Sequence, residues 1–153
     1  MHCWMNVCLA WVMLIAIGGE LSAQTSKTEK SEPQEVELAE SESPRHKLLK
    51  QRHNIAVQEF RLARNQYRSG TSPMEVMLTA ALHVGESKVL LANNTQERIA
   101  GYEEMLRLQQ EVEDVATARF QGGAGTQLEV MRAKYGRLGA ELKLLDARAE
   151  NAK

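Results

Sequence analysis

From residue 45 onward the apolar positions recur at helical spacing. Leu49, Ala56, Phe60, Ala63 and Tyr67 share one face, with Leu48, Ile55 and Leu62 beside it at heptad spacing, which predicts a first helix over 45–69. Gly70 ends that run, and Ser72-Pro73-Met74-Glu75 has the order of a capping box with proline at the first helical position. The second predicted helix, 73–92, then buries Met74, Met77, Leu78, Ala81, Leu82, Val89 and Ala92. Asn94 and Glu97 form another capping pair and the apolar phase slips there, so a break at Asn93-Asn94-Thr95 is the preferred reading, with one continuous helix as the alternative. The third helix, 95–121, turns Ile99, Tyr102, Leu106, Ala116 and Phe120 inward, with Met105, Leu108, Val112 and Val115 beside them. Gly122-Gly123 closes it, and Thr126 with Glu129 opens a fourth helix over 127–150. There Leu128, Met131, Tyr135, Leu138, Leu142, Leu145 and Ala149 alternate by three and four, the pattern of a seam packed on an antiparallel neighbour. The expected fold is all-α: two antiparallel helical hairpins in an elongated, coiled-coil-like bundle.

What precedes the helices has a different composition. The apolar run Val7–Ile17, broken by Gly18-Gly19 and followed by Leu21-Ser22-Ala23, reads as a signal peptide over 1–23, although only the terminal amine and His2 supply positive charge at its start. An uncleaved N-terminal membrane anchor is the alternative. Residues 24–44 are polar, mostly acidic and contain two prolines, the composition of a disordered tether. The outer face of the first helix is basic (Arg45, Lys47, Lys50, Arg52, Arg61, Arg64, Arg68); such a run is most often a solvated face, and the other reading is a surface for the acidic tether or an acidic partner.

Charge and chemistry narrow the function classes. With 19 basic and 20 acidic residues the chain has no electrostatic reason to bind nucleic acid. Both cysteines, Cys3 and Cys8, lie in the leader, so the mature chain would hold neither a disulfide nor a thiol nucleophile. Catalysis is not expected: the serines lie in the tether, in turns or, as Ser87, on a helix without a histidine nearby in sequence. No cofactor is expected and no metal site, since His46 and His53 share a basic helix and His83 stands alone. Met74 and Met77 with His83 could form a soft copper site, but methionines at this spacing more often fill a core. Gly122, Gly123 and Gly125 lack the Lys-Ser/Thr of a phosphate loop and read as helix termination. Asn93-Asn94-Thr95 is a formal glycosylation sequon, a short pattern with a high chance rate.

The two glycine turns repeat each other. Tyr67-Arg68-Ser69-Gly70 followed by Glu75-Val76-Met77 corresponds to Phe120-Gln121-Gly122-Gly123 followed by Glu129-Val130-Met131. A repeat at ~54 residues implies two helix-turn-helix units, each with an apolar stripe that it cannot bury alone. The stretch Arg119 to Arg148 resembles the repeated signature of TolC-like outer-membrane efflux proteins, with Phe120, Gly123, Thr126, Glu129, Val130, Met131, Ala133, Leu138, Ala140 and Leu144 in the places of that signature. Tyr67 to Ala80 is a second, weaker copy, one residue shorter between Gly70 and Glu75. The resemblance covers the helical hairpins alone: the chain has no run of alternating apolar residues that would supply barrel strands.

In that family such turns lie at the periplasmic tips of the hairpins, where adaptor proteins dock. The resemblance therefore implies partner-contact tips at Ser69, Gly70, Thr71 and Ser72 and at Gln121, Gly122, Gly123, Ala124, Gly125 and Thr126. The expected function is a periplasmic or secreted interaction module meeting a helical envelope protein or itself. Its membrane attachment would require an uncleaved leader. A small-ligand or metal-binding bundle and a purely structural envelope spacer are the competing expectations.

Overall fold

Ser43 sets the start of the first helix: its hydroxyl accepts from the His46 amide (3.3 Å) and Pro44 occupies the first helical position, where no N-H is needed. A computed structural model describes residues 32–152, so the signal peptide or anchor expected over 1–23 and the first part of the tether, 24–31, lie outside the described residues. Four helices follow one another: α1 (Pro44–Arg68), α2 (Met74–Leu91), α3 (Thr95–Gln121) and α4 (Gln127–Asn151), with no strand among the described residues. None of these helices is long and apolar enough to cross a membrane.

The connections are built from two kinds of cap. The α2–α3 break falls at Asn94, whose side chain accepts from the Glu97 amide (2.8 Å) while Glu97 reaches back to the Asn93 amide (2.8 Å). Both hairpin turns close in the same way: Gly70 (φ 76°) and Gly123 (φ 73°) take the left-handed conformation, and Thr71 and Ala124 donate five residues back to the carbonyls of Gln66 and Arg119. Thr126 and Glu129 complete a full capping box at the start of α4. The box expected at Ser72 and Glu75 does not form. Pro73 is the cap of α2 and makes no side-chain bond, and Glu75 is drawn instead into an ion pair with Arg132 of α4.

Each helix packs chiefly on its sequence neighbour, with a minor contact between α2 and α4 and no comparable interface between α1 and α4. The α3–α4 pair is antiparallel by its ion pairs: Arg98 with Glu150, Glu103 with Arg148 and Glu113 with Arg137. The main core joins Ala56, Val57, Phe60, Ala63 and Tyr67 of α1 to Met74, Met77, Ala80, Ala81 and Val84 of α2, to Leu108, Val112 and Ala116 of α3 and, at its edge, to Ala133 of α4. Glu111 of α3, itself buried, braces the same three-helix unit by accepting from Arg64 (3.3 Å) and Arg68 (3.5 Å) of α1.

Helix α4 departs from its expected orientation. It presents Ala133, Ala140, Leu144 and Ala147 to the interior, while Leu128, Met131, Tyr135, Leu138, Leu142 and Leu145 are all exposed. The reason lies in α3, whose bulky residues Met105, Leu108 and Val112 are buried and whose Leu108 and Val112 serve the core shared with α1 and α2. What α3 offers α4 is the edge of the main core, where Ala133 packs with Val130 beside it, a small cluster at Ile99, Tyr102 and Leu106, which Leu144 and Ala147 fill, and a row of charges that α4's arginines match. On α1, likewise, Leu48, Ile55 and Leu62 face outward. Phe120, expected inward, is 44% exposed, whereas its repeat counterpart Tyr67 is 1% exposed.

The α2–α3 approach depends on Gly85, since a methyl group there would overlap the Met105 side chain. Alanine is intrinsically the better helix former by about 1 kcal/mol. Gly85→Ala should nevertheless destabilise the fold by about 2 kcal/mol, the cost of overpacking, as measured by urea denaturation.

Candidate interaction surface

Three features could meet another molecule: the end carrying the two turns, the segment lying over α1, and the outer face of α4. The turns are assembled around Arg119, a residue that the reading of the sequence did not single out. Its guanidinium lies 4.7 Å from the centroid of the Tyr67 ring, and it donates to the carbonyls of Tyr67 (2.7 Å) and Ala124 (2.9 Å). One side chain thus ties the α1–α2 turn to the α3–α4 turn, so the repeat units meet at their glycine ends. Burial and then the Glu129 carboxylate push the Tyr67 hydroxyl above its ordinary value, while Arg119 pulls the other way, and the phenol stays neutral at physiological pH.

The residues implied as tips do surround this clamp. Ser69, Gly70, Thr71, Gln121, Gly122, Gly123, Ala124 and Thr126 are exposed, and Ser72 and Gly125 are half-buried. Part of their polar capacity is already used locally: the Ser69 and Thr71 hydroxyls both donate to the Gln66 carbonyl, at 3.0 and 3.1 Å.

Residues 32–43, expected as the end of a disordered tether, lie along α1 instead and close with a turn at 40–42. Asn54 reads the backbone of Val36 twice, accepting from its amide (2.8 Å) and donating to its carbonyl (2.9 Å). Lys47, Lys50 and Arg61 donate to the carbonyls of Glu40, Glu37 and Pro33, and Arg64 and Lys50 pair with the carboxylates of Glu32 and Glu42. Much of the basic face of α1 is therefore occupied by the chain's own acidic segment.

Under this strap lies His53, buried, with Nδ1 2.9 Å from the Ser87 hydroxyl and Nε2 3.2 Å from the Gln34 carbonyl. Burial lowers its pKa from the ordinary 6.5, so the folded chain favours neutral imidazole. Burial raises the nearby Glu104 carboxyl, and the hydrogen bonds and charge of Arg107 together with the charges of Lys88 and His53 lower it, with a net shift downward.

The histidine of the imagined copper site is elsewhere engaged: His83 Nδ1 lies 2.9 Å from Glu59, and Met74 and Met77 are fully buried in the core. Among the described residues no three His, Cys, Asp or Glu side chains converge on a point that could hold a metal. The surface depressions at Arg52, Ile55, Glu59 and His83 and at Arg98, Tyr102, Lys143 and Asp146 are open to solvent.

The third feature is the most extensive. From Leu128 to Leu145 the outer side of α4 is a continuous stripe in which every large residue is at least 44% exposed and Tyr135 reaches 82%. No protein-family model, curated protein or solved structure matches the chain.

Two consequences follow for stability. Arg119→Ala should cost about 2 kcal/mol in denaturant unfolding, because it removes charge-assisted bonds to two turns and the stacking on Tyr67 together. Lysine at this position, with no planar fork, should recover only part of the loss. For His53 the folded-state pKa is depressed, so its contribution is complete above 6.5 and is lost as pH falls below that value. Glu32, Glu42 and Glu104 have depressed pKa values and lose their contributions only below 4.5. Tm measured against pH should therefore fall between pH 7 and 5.5 in the wild type and stay nearly flat there in His53→Gln, while both drop below pH 4.5.

Proposed function

We propose that this chain is a protein–protein interaction module of the cell envelope, a helical scaffold that binds other helices and performs no chemistry of its own. The observation that carries the reading is the outer face of α4: its bulky residues stay in water while its alanines face the interior. Contiguous exposed apolar surface on a folded domain is costly unless a partner covers it, and a 3-4 stripe is the shape that receives another helix. The turn end adds a rigid rim, since Arg119 fixes both loops.

Export is part of the proposal on the strength of the leader-like segment 7–17, and the resemblance of Arg119–Arg148 to TolC-like hairpins supports a helical envelope partner. A ligand-binding bundle has less in its favour, because Met74 and Met77 are fully buried in the core and His83 is held by Glu59. The test is photo-cross-linking in the producing cell with a photoreactive residue at Leu138 and, as control, at the exposed Gln110 of α3. Adducts to another polypeptide at Leu138, found in the envelope fraction and absent at Gln110, are the expected outcome. No adduct at Leu138, or equal adducts at both positions, would contradict it.

A further inference from the structure

The structure points to a specific occupant for the outer face of α4: we infer that it binds the same face of a second copy of this chain, antiparallel, to form a two-fold symmetric dimer. The inference rests on the reading of α4 as an interaction surface and adds to it the partner and the register.

Symmetry comes first. The stripe Leu128, Met131, Tyr135, Leu138, Leu142, Leu145 has spacings that read the same in either direction, so an antiparallel copy can meet it in layers. Tyr135 then lies opposite the partner's Leu138, Met131 opposite the partner's Leu142, and Leu128 opposite the partner's Leu145. No layer contains a charge. The stripe is accessible for this, because it lies on the side of α4 away from its buried residues Ala133, Ala140, Leu144 and Ala147.

The charges flanking the stripe choose the direction. On one flank stand Gln127, Lys134, Glu141 and Arg148, and on the other Arg132, Gly139 and Asp146. In the antiparallel register Lys134 sits beside the partner's Glu141, an attraction that symmetry makes twice and that Glu141 shares with Arg137 of its own helix (2.9 Å), while Arg148 stays paired with Glu103 of its own chain. Arg132 falls next to the partner's Gly139, where the space around Gly139 is open. A parallel pairing would instead set Glu141 beside the partner's Asp146, a repulsion made twice, and would leave Lys134 facing a glycine. The outward stripe of α1 is a poorer mate for α4: Leu48, Ile55 and Leu62 supply one apolar residue per heptad, with Gln51, Arg52, Gln58 and Glu59 between them.

The experiment is sedimentation equilibrium of the full chain from about 1 to 200 µM, the range in which a modest interface of this kind dissociates. The wild type should pass reversibly from monomer to dimer, and Leu142→Glu should remain monomeric with unchanged helical circular dichroism, since Leu142 is 62% exposed in the single chain. Lys134→Glu and Glu141→Lys should each weaken association about tenfold, and the double reversal should restore it to within about threefold of wild type. A wild type that stays monomeric throughout, or association that survives Leu142→Glu, would overturn the inference. So would Glu141→Lys tightening the dimer, the signature of the parallel arrangement, or Ile55→Glu abolishing it, the signature of α1 meeting α4. If the chain is monomeric yet Leu138 cross-links to a different protein in the cell, the interaction module stands and self-pairing falls; if neither association occurs, both fall.

Discussion

Helix α4 rests on α3 through alanines, and most of what is distinctive about this protein depends on that contact. Ala133, Ala140 and Ala147 recur once per heptad along the buried side, so the face that reaches the core is narrow and small. Small side chains allow close approach but bury little apolar area, and the pairing is completed by flanking ion pairs, with Arg137 donating to Glu113 (2.6 Å) and Arg148 to Glu103 (2.7 Å). Had the leucine stripe turned inward, its bulk would have had to fit where Ala133 packs at the edge of a core that Leu108 and Val112 share with α1 and α2. The outer stripe is thus a consequence of how the first three helices share their core.

The same economy of partners explains the two ends of the array. At the glycine end, Tyr67 is buried beneath Arg119 while Phe120, in the equivalent place of the second unit, is left in solvent, so the repeat is symmetric in backbone and asymmetric in packing. Along α1, the strap 32–43 satisfies lysines and arginines that would otherwise face water, and covers His53. Two units that look alike in sequence therefore have different surroundings: the first is covered by the strap, and the second keeps an open apolar edge.

The helices were legible because their ends are written in local chemistry. Gly70 and Gly123 adopt the left-handed conformation that glycine alone takes without cost, and Asn94 and Thr126 cap the helices that follow them. The orientation of α4 was not legible, for a physical reason. Its sequence carries two faces at heptad spacing, alanines on one and leucines on the other, and hydrophobicity alone favours burying the larger. Which face turns in is decided by the surface that α3 has left over, a tertiary fact. Ser72 failed as a cap because the helix starts one residue later than the capping pattern implies: Pro73 takes the cap position and leaves Ser72 outside it. The strap was legible only as the less favoured reading of α1's basic face: its composition offers almost nothing to bury, and beside the carboxylates of Glu32 and Glu42 it is held by its own backbone carbonyls, which composition does not describe. At the tip end the turns could be found from their glycines, but Arg119 looked like any charged residue on a helix.

The orientation of α4 can be tested directly by comparing Ala140→Leu with Leu142→Ser in urea denaturation at submicromolar concentration, where only the single chain is present. Ala140 is 2% exposed and Leu142 is 62% exposed. Overpacking at Ala140 should therefore cost about 2 kcal/mol, whereas the change at Leu142 should stay within about 0.5 kcal/mol. The reverse order, with Leu142→Ser strongly destabilising and Ala140→Leu tolerated, would place the leucine stripe inside the fold and contradict the account.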